Sequence, residues 1–268
     1  MGGAPDGADA VLNRRSELWV GMFTRIFRRA FLKDFLALRL SLSGAVPEPG
    51  TPHLVLYANH PSWWDPVAFL LLADQLFKGR AGFAPIDARM LSQYGFFERI
   101  GVFGVDIAHR NGAARFREVA TAVLADPARI LLVTAQGRFV DVRQRPLGLK
   151  SGIAHVADWC EGAVFVPLAL DYVFWDQRKP ELLVRFGEPT AGATLRAIPT
   201  QERLAILEHA LEACMDRLAA EGMARNEAAF TPLIAGRSGA GGFYDLWRRA
   251  RAKVTGQPFS PEHGAEPK

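Results

Sequence analysis

Between residues 11 and 35 the apolar side chains Leu18, Trp19, Met22, Phe23, Ile26, Phe27 and Phe31 recur at helical spacing, with Arg14, Glu17, Thr24, Arg25 and Arg28 assigned to the opposite face. The pattern predicts a basic amphipathic helix. Leu36, Leu38, Leu40 and Leu42 then alternate with Ala37, Arg39, Ser41 and Ser43 up to Gly44, the two-residue period of a half-buried strand. Pro47, Pro49, Gly50 and Pro52 make a connector, and residues 53–58 read as a continuous apolar strand ending at Asn59 and His60. Asp65 before Pro66 predicts a helix cap followed by the first helical residue, opening an apolar helix to Phe77.

Further along, strands are expected at 83–86, 101–106, 130–134, 163–170 and 182–186, and helices at 113–124, 151–159 and 202–220. Alternation of this kind predicts an α/β fold: a single domain with a mixed central sheet flanked by helices, preceded by the amphipathic helix. The expected organisation is a loose tail at 1–10, the amphipathic helix at 11–35, the main domain at 36–222, a basic and aromatic extension at 223–255 and a second tail at 256–268.

Charge adds one constraint. The 32 Lys and Arg against 28 Asp and Glu leave a formal +4, an excess that attracts phosphate or anionic lipid. No apolar run reaches the roughly 18 residues of a membrane span, and the arginines near the N-terminus break any secretory pattern. The two cysteines, Cys160 and Cys214, have no paired spacing, which fits a reducing cytoplasm. His53, His60, His109 and His155 lie in separate segments, so no metal is expected, and no nucleic-acid-binding motif is present.

The segment Asn59-His60-Pro61-Ser62-Trp63-Trp64-Asp65 places an imidazole and a carboxylate on either side of a turn into a helix. An imidazole near neutrality can take a proton from an alcohol as its oxygen attacks a carbonyl. A carboxylate on the other ring nitrogen fixes the tautomer and stabilises the imidazolium. The plainer alternative makes Asp65 only a helix cap and His60 a hydrogen-bonded turn residue.

This segment resembles the first motif, N-H-x-x-x-x-D, of the glycerolipid acyltransferase family, the lysophosphatidic acid acyltransferase-like enzymes. Gly101 to Asp106 looks like the family's second block, and Thr134-Ala135-Gln136-Gly137-Arg138 looks like its third, usually written P-E-G-T-R. Lys150-Ser151-Gly152 resembles the family's next helix start and Val166-Pro167-Leu168 its fourth block, so the likeness spans roughly residues 38–189.

The resemblance implies transfer of a fatty acyl group from a thioester, acyl-coenzyme A or acyl carrier protein as co-substrate with no tightly bound cofactor, to a hydroxyl of a lysophospholipid or other membrane lipid. His60 is then the general base and Asp65 its orienting partner. Asn59, Trp63, Trp64, Arg110, Gln136, Gly137, Arg138 and Lys150 are the expected substrate-binding residues, with Arg143 and Arg145 in the same basic run. The sequence departs from the family where acceptors are read. Gln136 replaces a glutamate, Ile107 replaces an arginine for which Arg110 is the nearest substitute, and Arg138 and Phe139 replace threonine and arginine. These changes point to a hydroxyl-bearing acceptor other than a glycerol phosphate.

The expected partners are the thioester donor, which includes acyl carrier protein, the lipid acceptor, and an anionic membrane surface met by the N-terminal helix on the cytoplasmic face. The aromatic and basic segment around Phe243 to Arg249 is a second interfacial candidate. Two rival functions are a non-catalytic lipid-binding relative and an acyl-ester hydrolase using Ser62. The latter lacks a G-x-S-x-G elbow.

Overall fold

The computed structural model describes residues 7–106 and 110–236. The N-terminal helix is two helices, α1 (Ala8–Arg14) and α2 (Glu17–Asp34), broken at Arg15 and Ser16, where the Ser16 amide donates to the Arg99 carbonyl. Residues 8–10, expected in a tail, are thus helical. Strand β1 (Ala37–Ser41) follows, then β2 (Leu54–Ala58) and α3 (Asp65–Leu76). Strand β3 (Ala81–Asp87) leads into α4 (Ala88–Gln93), a 3-10 turn (Gly95–Ile100) and β4 (Val102–Val105). The chain continues through α5 (Arg110–Leu124), β5 (Arg129–Thr134), α6 (Gly152–Trp159), β6 (Val164–Val173) and β7 (Glu181–Phe186). It closes with β8 (Thr190–Ala191), α7 (Gly192–Arg196), α8 (Thr200–Ala224) and β9 (Phe230–Ala235).

The strands form one mixed sheet in the order β4-β3-β5-β2-β6-β7-β1-β9, with β8 beside β6. From β4 to β6 neighbours are parallel; β7 runs antiparallel to β6, β1 parallel to β7 and β9 antiparallel to β1. The α/β architecture expected from the sequence is therefore present. The boundary at residue 222 is corrected: residues 230–235, assigned to an extension, are a strand of the sheet. Pro232 is a poor strand residue in general. Here it is accommodated on an edge, at a register shift opposite Leu38 and Arg39.

β2 is central and buried throughout, and its side chains divide between two cores. Val55 and Tyr57 join the core under α5, α6 and α8, while Leu54, Leu56 and Ala58 join the one under α2 and α3. Each buried aliphatic side chain contributes about 1.5–3 kcal/mol relative to exposure, so this strand cannot change register without inverting both cores. The parallel strands β2 and β5 end side by side, with Ala58 opposite Thr134. In open α/β sheets such carboxyl ends are where ligands meet the fold.

On α2 the packing differs from the pattern. Thr24, assigned to the polar face, is buried and donates to the Val20 carbonyl at 2.8 Å. Phe31 is fully buried, whereas Leu18, Trp19, Met22 and Ile26 are exposed. The apolar arc is wider than the domain can cover. Among the described residues no helix is long and apolar enough to cross a membrane.

Candidate active site

Three clasps hold the chain as it leaves β2. The Asn59 side chain donates to the Leu170 carbonyl at 2.9 Å and accepts from the Leu170 amide at 2.8 Å, extending the ladder to β6. The Gln136 carboxamide accepts from the His60 amide at 2.9 Å and donates to the Leu147 carbonyl at 3.1 Å. The Val140 amide donates to the His60 carbonyl at 3.0 Å. Asn59 and Gln136 are both buried. In both of these expected substrate-binding residues, side-chain polar atoms satisfy backbone groups that burial would otherwise strand.

Asp65 is the first residue of α3 and not its cap; Trp64 stands at the cap position without a side-chain bond. The carboxylate is fully buried and turns back to the preceding turn. Oδ2 accepts from His60 Nδ1 at 2.6 Å and from the Ser62 amide at 3.1 Å, and Oδ1 accepts from the Tyr172 hydroxyl at 2.7 Å. The reading of Asp65 as only a cap therefore falls. A carboxylate accepts and does not donate, so Nδ1 carries the imidazole hydrogen and Nε2 presents its lone pair. The position at the start of α3 adds the favourable end of the helix dipole. Burial, and after it the Asp65 charge, push the Tyr172 phenol above its usual value, so Tyr172 stays a donor.

No local signal in the sequence points to Tyr172. It is 107 residues from Asp65, on the far end of β6, and only strand pairing brings it there. Phe139 lies against the His60 ring with centroids 4.5 Å apart.

His60 opens onto an apolar channel of about 320 Å³. Helix α3 and the residue after it line it from Pro66 through Phe69 and Ala73 to Phe77, so it is roughly 16 Å long at a rise of about 1.5 Å per residue. The remaining wall comes from Val20 and Thr24 of α2, Gly82 and Phe83 of β3, and Leu132 and Thr134 of β5. Arg15, Lys78 and Arg80 also line it, as do Gly101 and Val102. Gly101 has φ of 97°, and a Cβ there would lie 2.3 Å from the Gly82 carbonyl oxygen, so this position requires glycine.

Neither tryptophan of the turn lines this channel. Trp64 packs edge-on against Phe35 at 5.1 Å and Phe31 at 6.3 Å, part of the core, and Trp63 is 58% exposed.

Of the basic run, Arg143 is paired at the surface with Asp141 and Arg145 with Asp216. Arg138 and Lys150 are exposed. The Lys150 side chain lies over Gly137, where a Cβ would approach its Cγ to 3.3 Å, and Gly137 has φ of 65°. Gly137 thus serves the turn that carries Arg138 and Phe139 past His60. The backbone of Arg110 opens α5, but its side chain, residues 107–109 and residues 237–268 lie outside the described residues. The Ser62 Oγ accepts from the Trp64 amide at 3.1 Å, which holds the turn. A second cavity of about 590 Å³, on the α8 side of the sheet, includes neither His60 nor Asp65. Among the described residues no group of three or more His, Cys, Asp or Glu side chains converges on a metal position.

Comparison with protein-family models and with curated proteins returned no match.

Proposed function

We propose that the protein is an O-acyltransferase that moves a fatty acyl group from an acyl thioester to a hydroxyl of a membrane lipid. One observation carries this reading: a half-buried histidine, oriented by a fully buried carboxylate, stands on an apolar channel long enough for a fatty chain. The chain lies along α3 with its thioester carbonyl at His60. His60 Nε2 takes the proton of the acceptor hydroxyl as that oxygen attacks the carbonyl carbon, and Asp65 stabilises the imidazolium that forms. The tetrahedral intermediate then expels the thiolate, which takes the proton from His60. Products are the ester and the free thiol, and the imidazole is neutral again.

The apolar walls keep water from the thioester, favouring transfer over hydrolysis. Arg138 and Lys150, exposed on the turn beside His60, supply positive charge for an anionic portion of donor or acceptor. The protein works at the cytoplasmic face of a membrane as a peripheral enzyme, with α2 against the surface. The hydrolase reading is disfavoured because Ser62 stands in no G-x-S-x-G elbow. A non-catalytic lipid-binding protein would have the channel without needing the His60–Asp65–Tyr172 chain.

The test is thiol release from acyl-coenzyme A and from acyl carrier protein thioesters by wild type and His60→Ala, across lysophospholipids, glycolipids and simple alcohols, with products identified by mass. Acceptor-dependent release that disappears in a folded His60→Ala protein supports the proposal. Equal release by both proteins overturns the role of His60, and binding of acyl chains without release from any donor favours the lipid-binding alternative.

A further inference from the structure

The apolar stripe that α2 leaves open continues onto a second element. On α2, Leu18 and Ile26 are 82% and 48% exposed, with Trp19 and Met22 beside them. Across a seam, Met90 of α4 and Phe96 of the 3-10 turn are 42% and 36% exposed. Phe23 of α2 joins the two by stacking on Phe96 with ring centroids 4.9 Å apart and planes within 15°. The result is one surface of aliphatic and aromatic side chains left open to solvent.

Its charges identify the partner. Arg25, Arg28, Arg29 and Lys33 are all exposed on α2, and none has an acidic partner among the described residues. A second copy of this chain packed symmetrically on the stripe would bring these cations against one another. Protein interfaces also lose charged residues at their centres. Aromatic and aliphatic side chains interspersed with unpaired cations instead match the boundary between lipid headgroups and acyl chains.

The inner sides of the same two elements form part of the channel: Val20, Gly21 and Thr24 come from α2, and Phe97 and Ile100 from the 3-10 turn. We infer that α2 and residues 88–100 together form one docking surface for an anionic phospholipid bilayer, which lays the channel wall against the lipid. The use of that position for acyl transfer rests on the proposed function; the docking surface itself does not.

The experiment is co-sedimentation of the full chain with vesicles of phosphatidylcholine alone and of phosphatidylcholine mixed with phosphatidylglycerol. Wild type is expected to bind the mixed vesicles and to be released by salt. Met90→Glu with Phe96→Glu should lower partitioning by about tenfold or more, as should Leu18→Glu with Ile26→Glu. Arg25→Gln and Arg29→Gln should each lower it by about fivefold on the anionic vesicles only. Met90→Glu alone, at an exposed helical position, keeps the test valid if the Phe96 variant misfolds.

Wild-type partitioning by the Met90 variants removes residues 88–100 from the surface. Equal binding to both vesicle types overturns the recognition of anionic headgroups. A wild-type dimer that both apolar variants convert to monomer assigns the surface to a second copy. Transfer from a soluble short-chain thioester is measured in parallel: its absence in a protein that docks defeats the acyltransferase reading and leaves the docking surface standing.

Discussion

The Tyr172 hydroxyl and the His60 imidazole hold the two oxygens of one buried carboxylate, Asp65, at 2.7 Å and 2.6 Å. Tyr172 is therefore a positioning residue acting on His60 through Asp65. Tyr172→Phe should leave a buried carboxylate oxygen without its donor and cost about 1–3 kcal/mol of stability. With the carboxylate freer to turn, kcat should fall several-fold with KM little changed, and the pH–rate profile should shift, which a purely structural role would not produce. Urea unfolding and steady-state kinetics across pH check both parts.

Gln136 connects the His60 amide to the Leu147 carbonyl, using its acceptor and its donor at once. Gln136→Glu keeps the acceptor, loses the donor and faces a carboxylate toward a carbonyl in a buried site. A loss of about 1–3 kcal/mol is expected, with lower kcat because the turn carrying His60 loosens. Denaturant midpoints of the two proteins and their rates with a common substrate provide the check.

Ala73 lies midway along the channel wall on α3. Ala73→Phe should fill the channel there, cutting kcat/KM by about tenfold or more for long acyl donors while sparing short ones, a discrimination of the size that hydrophobic pockets achieve. Competition between long and short thioesters in one reaction, read by product mass, measures it. Equal loss for all lengths would place the chain elsewhere.

Asp158, on α6, gives a pH dependence. Burial acts to raise its carboxyl, but the Arg203 guanidinium at 2.6 Å, assisted by His155, outweighs it and holds the group below its ordinary 3.8. A carboxyl depressed on folding contributes stability above its unfolded value, and that stability is lost as pH falls through the folded value. Asp158→Asn should therefore lower Tm near neutrality, and the difference from wild type should shrink as pH drops below about 4. Thermal melts over that range test the sign.

How much of this was legible depends on the distance over which each feature is determined. β2, α3 and the turn between them were readable because their signals are local: a continuous apolar strand, then Asp65 and Pro66 at a helix start. The spacing from Asn59 and His60 to Asp65 marked the site. The same local reading did not show what Asn59, Gln136, Trp64 and Thr24 contact, since polarity or aromatic character does not state what a side chain faces. β9 was missed because Pro232 is a breaker in general and harmless on an edge next to a register shift.

By itself the sequence determined the α/β alternation, the amphipathic character of the N-terminal segment and the candidate pairing of His60 with Asp65, all set by periodicities and turn chemistry within a few residues. Only the tertiary structure decided that Tyr172 completes the hydrogen-bonded chain, that β3, β5, α2 and α3 enclose a channel onto which His60 opens, and that Leu18, Met22 and Ile26 remain outside. The physical reason is that these depend on strand order and on which part of a helix finds a neighbour, and each joins residues that are far apart in the chain.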